Sequence, residues 1–345
     1  MLVACWLKRG NLAARPPHAT PGKKMNTRTQ TFSVIIPTRD RASVFVTALK
    51  SVLAQQYRDF EVIVVDDGSS IEQNRIYRKL TAPVGAKLLT LDPKSNGYGP
   101  SFARNYGAAH TRGDYLCFLD DDDEWIDPMH LQRVAKVIAP QPTDLILANQ
   151  KAFRAGVALP GGIWIEDLAN RLRQQTDANG AVEVTSRQLL TCAGHCHVNT
   201  MIIRNTFYRT LGGFDEHLRY EEDVDFFLRA IDRAERVKYL PFLVSRHNVS
   251  VVNSASTSLD TTSKQVNRVY LYRKAALFSQ QPEVRRYALR HLSFALERVA
   301  RGTLLQGRIT DAIRYMTEWL KIKASLIGGG ENKRIAGGEN KRGGI

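Results

Sequence analysis

Four consecutive aspartates, Asp120-Asp121-Asp122-Asp123, directly follow an apolar run at residues 115–119. Adjacent carboxylates repel and raise one another's pKa unless a cation sits among them. Oxygen ligands of this kind suit a hard divalent ion such as Mg2+ or Mn2+. In an extended segment alternate side chains share a side, so Asp120 and Asp122 are expected to converge. The competing reading is a solvated acidic turn capping the helix that Pro128 opens. An EF-hand is excluded: Trp125 stands where its loop needs glycine, and Leu131 where it needs a bidentate glutamate. A second acidic pair, Asp66-Asp67, ends another apolar run. A third group, Glu221, Glu222, Asp223 and Asp225, opens a helical pattern through Phe226, Phe227, Leu228 and Ile231. Carboxylates there suit general-base work, although acids in a first turn also simply favour the helix dipole.

The elements that must position these groups alternate. Short apolar, β-branched runs at 32–36, 60–65, 86–91, 115–119 and 145–148 read as strands. Between them, Val44, Ala48, Val52 and Leu53 keep helical spacing, residues 101–110 read as helix, and Pro128 opens another. Strands apolar throughout and separated by helices predict a largely parallel sheet covered on both faces. Three strands end in polar clusters, Pro37-Thr38-Arg39-Asp40-Arg41, Asp66-Asp67-Gly68-Ser69-Ser70 and the aspartate run. Open α/β sheets bind ligands at those carboxyl ends, so a nucleotide or metal site is expected there.

The chain has 345 residues, is 43% hydrophobic and carries a net charge of +15. That composition excludes disorder along its length. The charge suggests nucleic acid until it is divided: residues 1–30 carry +6, 31–263 carry −2, 264–327 carry +9 and 328–345 carry +2. A nucleic-acid-binding protein needs a basic groove with interleaved aromatics, which the slightly acidic middle does not offer. Four cysteines are too few for a disulfide scaffold, so a reducing cytoplasm is expected. No stretch approaches the ~18 apolar residues of a spanning helix.

Motifs in fixed order are similar to family 2 glycosyltransferases. They are Phe32-Ser33-Val34-Ile35-Ile36-Pro37-Thr38-Arg39-Asp40-Arg41, Val64-Val65-Asp66-Asp67-Gly68-Ser69, Arg104-Asn105-Tyr106-Gly107, Gly113-Asp114-Tyr115 and Phe118-Leu119-Asp120-Asp121-Asp122-Asp123. Later come Asn199-Thr200-Met201, Leu211-Gly212-Gly213-Phe214-Asp215-Glu216 and Glu221-Glu222-Asp223-Val224-Asp225. The resemblance covers about residues 31–250 and implies a GT-A fold, a mostly parallel Rossmann-like sheet flanked by helices. It also implies inverting transfer of a sugar from a UDP- or dTDP-sugar, in bacterial surface polysaccharide or glycoconjugate assembly.

By that resemblance Pro37, Thr38, Arg39 and Arg41 line the nucleoside pocket, and Asp67 accepts a hydrogen bond from the base. Arg104 steadies the base or diphosphate, and Asp121 lies near the ribose. Asp120 and Asp122 match an Asp-x-Asp motif binding Mn2+ or Mg2+, with Asp122 the direct ligand and His247 contacting metal or diphosphate. Glu222 and Asp223 match the catalytic acids, with Asp223 as base. The intact acids argue against a non-catalytic nucleotide-sugar-binding protein. A nucleotidyltransferase would need a Gly-rich triphosphate loop after the first strand, and none is present.

Residues 140–196 match no carried-over pattern; acceptor recognition is expected to fall there. Trp164 offers either a sugar-stacking face or a core ring. Cys192, His195, Cys196 and His197 could suggest zinc, but no second cluster in the sequence completes such a site. Gly97-Tyr98-Gly99 reads as loop.

The expected organisation is a disordered basic arm over 1–30, a catalytic domain over 31–263, basic amphipathic helices over 264–327 and a disordered Gly-rich tail over 328–345. Met25, just ahead of the first strand, is an alternative start. In the helices Val284, Tyr287, Ala288, Leu292, Ala295, Leu296 and Val299 form one apolar stripe, and Ile309, Ile313, Met316 and Leu320 another. The arginines around them either form a solvated face or attach a cytoplasmic enzyme to the anionic inner face of the plasma membrane, which would serve a lipid-linked acceptor.

Overall fold

The structure is a computed structural model that describes residues 30–161, 164–172, 175–249 and 260–335. The expected arm over 1–29, including Met25, and the tail over 336–345 lie outside the described residues.

Ten strands form one sheet: β1 (Phe32–Thr38), β2 (Phe60–Asp66), β3 (Lys87–Thr90), β4 (Tyr115–Phe118), β5 (Glu124–Trp125), β6 (Leu145–Arg154), β7 (Val157–Ala158), β8 (Val182–Glu183), β9 (Met201–Arg204) and β10 (Val237–Asn248). Their main path is β3-β2-β1-β4-β9-β6-β10-β5. The helices are α1 (Ala42–Leu53), α2 (Ile71–Thr81), α3 (Pro100–Ala109), α4 (His130–Ile138), α5 (Glu166–Leu172), α6 (Ser186–Leu189), α7 (Asn205–Leu211), α8 (Glu222–Arg233), α9 (Thr261–Phe278), α10 (Pro282–Leu305) and α11 (Ile309–Ile335).

β3, β2, β1 and β4 run parallel, as do β6 and β10. The short β9, not foreseen as a strand, lies antiparallel between β4 and β6. Alternation along β1 explains the two-faced burial. Phe32, Val34 and Ile36 join one apolar cluster with α1 and α4, whereas Ile35 joins a second with residues of α3, α7 and α8. Thr38 pairs with Asp66, and Ile35 with Phe118. The ends of β1 and β2 therefore stand level, whereas β4 stops opposite Ile35 and the residues after it, as far as Asp121, carry the chain to the same rim.

The C-terminal helices share a core with this domain. Val269, Leu271 and Tyr272 of α9 and Val284, Ala288, Leu292, Leu296 and Val299 of α10 belong to the cluster that holds Phe226 and Phe227. Burial of such side chains contributes roughly 1.5–3 kcal/mol each. The second stripe behaves differently: Ile309, Ile313 and Leu320 are 60%, 62% and 56% exposed, while Tyr315, Trp319 and Ile322 pack inward.

α11 runs to Ile335, into the stretch expected to be tail. Extending a helix adds one hydrogen bond per residue fixed, so it is much cheaper than nucleating one. No helix among the described residues is long and apolar enough to cross a membrane.

Candidate active site

The aspartate run is a turn rather than an extended segment. Asp123 N donates to Asp120 O at 3.1 Å, so residues three apart become neighbours and the alternate-residue expectation fails. Asp120 and Asp122 take different partners. Asp120 Oδ1 accepts from Arg104 Nη2 at 2.6 Å, and Asp122 Oδ2 accepts from Arg41 Nη1 at 2.9 Å. Asp120 instead groups with Asp123 and His197, their ligand atoms all within 4.8 Å of one another.

Asp123 is 1% exposed and is held by His247 Nδ1 at 2.8 Å and Asn248 N at 2.7 Å. His247 thus reaches the cluster through Asp123, and its ring lies 5.1 Å from that of His197. Asn199 fixes the turn from below. Its Oδ1 accepts from Asp120 N at 3.0 Å and its Nδ2 donates to Asp123, while its backbone oxygen accepts from the Trp125 indole at 2.9 Å.

Burial, with Asp122 and Asp120 close by, pushes Asp121 up to about 7 against the pull of Arg41. Burial likewise pushes Asp123 up to about 6 against the pull of His247. Burial lowers His197 to about 4, leaving a neutral imidazole. Buried carboxylates whose charge is costly, beside a neutral imidazole, are a donor set that fits a divalent cation. Asp120, Asp123 and His197 could hold it, with Asp122 next in sequence and its Oδ2 on Arg41.

Several residues expected to touch the nucleotide lie beneath the rim. Thr38 is 3% exposed, with Oγ1 2.6 Å from Asp121 Oδ2 and 2.9 Å from the Tyr77 hydroxyl. Asp121 is fully buried and also bonded to Arg41. Both brace the rim through these contacts. Pro37 is half-buried within β1, in register with Val65.

Asp67, 6% exposed, accepts from Tyr98 N at 2.8 Å and Gly99 N at 2.9 Å. Burial raises its pKa against those amides and Arg39. Arg39 Nη2 donates to the carbonyls of Lys94 and Ser95, both at 3.0 Å. The loop over residues 94–99 is therefore pinned onto Arg39 and Asp67. At Gly97 it packs too closely for a side chain: with φ +60°, a Cβ there would sit 2.4 Å from Asp67 Oδ2.

Arg104 joins two acidic motifs. From α3, and 3% exposed, it donates to Asp120 and, through Nη1, to Glu222 Oε1 at 2.8 Å. Its place is between the strand-end acids and the helix-start acids. Glu222 and Asp223 begin α8 after Glu221, whose φ of +59° turns the chain sharply. Asp223 Oδ2 lies 2.9 Å from His195 Nε2. Burial opposes ionisation of Asp223, but His195, with help from His197 and Arg104, holds the carboxyl far below the usual range. The reciprocal effect raises His195 despite burial. Burial raises Glu222 against the pull of Arg104.

The zinc arrangement does not form. Cys196 lies 3.2 Å from Thr200 Oγ1, and Cys192 takes a contact from Arg171 at 3.1 Å, while His195 and His197 serve two different acids. Trp164 is 5% exposed and meets His197 and His247 edge-on, so it is a wall behind the imidazoles. Sequence reasoning passed over His195 and His197 as members of the site. The available signal was their spacing, since alternate residues of an extended segment share a side.

Residues 33–190 match glycosyl transferase family 2. The chain carries a family 2 glycosyltransferase domain over those residues.

An uncharacterized glycosyltransferase of Haemophilus influenzae is 25% identical over 237 residues, 68% of this transferase and 73% of that protein. The amylovoran biosynthesis glycosyltransferase AmsB of Erwinia amylovora is 38% identical over 97 residues, 27% of this chain and 31% of its own. The poly(ribitol-phosphate) β-N-acetylglucosaminyltransferase TarS of Staphylococcus aureus is 28% identical over 215 residues, 61% of this chain and 34% of its own. The transferase thus spans only about a third of the last two relatives.

Among solved structures, S. aureus TarS 1–349 in complex with UDP-GlcNAc superposes with a TM-score of 0.63 at 22% identity, covering 85% of this chain and 81% of that one. The mannosyltransferase PcManGT of Pyrobaculum calidifontis, in complex with GDP-Man and Mn2+, gives 0.52 at 18% identity, covering 87% and 86%. At these identities the likeness establishes the shared GT-A fold.

Proposed function

We propose that this glycosyltransferase moves a sugar from a UDP- or dTDP-sugar to a hydroxyl of a glycan or lipid-linked acceptor, with inversion, in assembling a bacterial surface polysaccharide or glycoconjugate. One observation carries the reading: Arg104 ties Asp120 to Glu222, so the acids suited to the diphosphate stand beside the acid suited to the acceptor. In transfer, the acceptor oxygen bonds to the anomeric carbon as the bond from that carbon to the diphosphate breaks. The electron pair leaves on the phosphate oxygen, and the acceptor proton passes to Asp223. His195 keeps Asp223 ionised and aimed. One base opposite the leaving group suffices for inversion, and Asp223 is the residue assigned that part.

Asp120, Asp123 and His197 would hold a divalent ion, Mn2+ or Mg2+, with Asp122 adjoining in the chain and His247 bonded to Asp123. Such an ion neutralises the charge that develops on the leaving diphosphate. The nucleotide named in the TarS complex, UDP-GlcNAc, supports a UDP-sugar, and the Mn2+ named in the PcManGT complex supports a metal. A panel of UDP- and dTDP-sugars, assayed for nucleotide release with Mn2+ and with Mg2+, tests the reading. It expects release from at least one donor, and no release from any would overturn it.

A membrane-facing role for the C-terminal helices is part of the same reading. Leu304, Leu305, Ile309, Ile313 and Leu320 are all more than half exposed, and Arg314 and Lys321 are exposed beside them. An apolar surface fringed by cations suits an anionic bilayer.

A further inference from the structure

Next to the His195–Asp223 pair, α9 and α10 close a cavity of about 420 Å³ against Ala193, Gly194, His195 and Glu221. Small-ligand sites have volumes of roughly 300–1,000 Å³. This one is built by residues beyond the span that matches the family, which ends at 190.

Its position relative to the base follows from helix geometry. Glu221 and Val224 line the cavity, whereas Glu222 faces Arg104. Residues three apart share a helix face and adjacent ones do not. Asp223 therefore sits at the border between the Arg104–Asp120 cluster and the cavity, with His195 in the cavity wall.

The walls carry what a sugar ring requires. The rings of Tyr272 and Tyr287 lie 5.0 Å and 4.1 Å from the His291 ring, inclined by 30° and 32°. Burial lowers His291 to about 4, so this aromatic wall is uncharged. Polar groups complete it. Arg268 Nε lies 3.0 Å from both carboxylate oxygens of Glu221, a planar ion pair at the edge. Gln265 is 6% exposed, lines the cavity, and its Oε1 has no hydrogen-bond partner. A buried acceptor left unpaired costs about 1–3 kcal/mol, so such a group marks a place where a donor from outside is expected. A saccharide hydroxyl is that donor, and its ring face suits the aromatic wall.

We propose that this cavity is the acceptor subsite and that it takes a saccharide unit, presenting one hydroxyl to Asp223 past His195. The proposal rests on the reading of Asp223 as the base. It assigns to α9 and α10 a direct part in acceptor binding, not only the packing role their buried stripes show.

Saturation-transfer NMR on the full chain tests it, with p-nitrophenyl glycosides of glucose, galactose, N-acetylglucosamine, mannose and rhamnose as probes. UDP and dTDP binding with Mn2+ is measured alongside by calorimetry. At least one glycoside should bind, and Tyr287→Ala and Gln265→Leu should each weaken it roughly tenfold, a change equal to one lost polar or packing contact, while UDP binding stays unchanged. Gln265→Leu should also raise the melting temperature, because it removes an unpaired buried oxygen; a purely structural Gln265 would give the opposite sign. Binding of no glycoside by a chain that binds UDP or dTDP overturns the subsite alone, as does binding unaffected by both substitutions. Failure of both UDP and dTDP to bind overturns the donor reading instead.

Discussion

His195 Nε2 lies 2.9 Å from Asp223 Oδ2, joining a segment ahead of β9 to the first turn of α8. An isolated buried carboxylate would be expected to resist ionisation; here the imidazole reverses that tendency and Asp223 stays charged. The proton acceptor of the proposed transfer is therefore set by a partner 28 residues away.

Removing that partner should be visible in the pH profile. In His195→Ala burial acts on Asp223 with less opposition, so the carboxyl pKa should rise. The acid limb of kcat/KM against pH should then move to higher pH, with a lower plateau. An unmoved acid limb would show that His195 does not control the ionisation of the base.

Arg104 should be far less replaceable than a surface arginine. Its two bonds, to Asp120 and Glu222, are buried, and deleting one partner of such a network costs about 3–5 kcal/mol. Arg104→Ala should lose stability of that order in urea denaturation. Arg104→Lys should restore part of it but not activity, because an ammonium cannot span both carboxylates with a planar fork. Equal activity in the lysine variant would contradict the bridging role.

The aspartate turn makes stability and cation binding depend on pH in a definite direction. Asp123 and Asp121 sit at about 6 and about 7 in the folded chain, against about 4 when unfolded. Folding therefore takes up protons between those values, and stability falls as pH rises through that window. Mn2+ should reverse the loss. The rise in melting temperature on adding Mn2+ should be large at pH 8 and shrink towards pH 5, where protons occupy the carboxylates. A shift independent of pH would place the ion elsewhere.

The exposed stripe of α10 and α11 gives a fourth expectation. The full chain should float with anionic vesicles at low salt and not with neutral ones, and Leu305→Asp with Ile313→Asp should abolish flotation without altering nucleotide release. No flotation at low salt would end the membrane reading.

How far the sequence carried this picture depended on the kind of information each feature needs. The strands were legible because β1, β2, β4 and β6 are continuous apolar runs, and the rim was legible because polar clusters follow three of them. β9 was missed since only four residues form it, hidden behind a motif. Asp120 and Asp122 were expected to converge on the assumption of extended backbone, and the turn from Asp120 to Asp123 changed which acids meet. Thr38 and Asp121 look like binding groups in a list of residues, but the chain leaving β4 brings Asp121 against the end of β1. His195 and His197 offered only their alternate spacing as a signal, and the acids they serve are far along the chain. The pairing of Arg268 with Glu221 is likewise a tertiary fact. The second C-terminal stripe had the right period for packing, yet nothing in its spacing could tell that it faces outward.

The central claim is that Asp223 accepts the acceptor proton in a nucleotide-sugar transfer, and Asp223→Asn tests it most directly. With a UDP- or dTDP-sugar that the unmodified chain turns over, nucleotide release and UDP affinity are measured side by side. The account predicts release reduced by about 10²–10⁴-fold with UDP affinity retained. Near-normal release from the asparagine variant would contradict it.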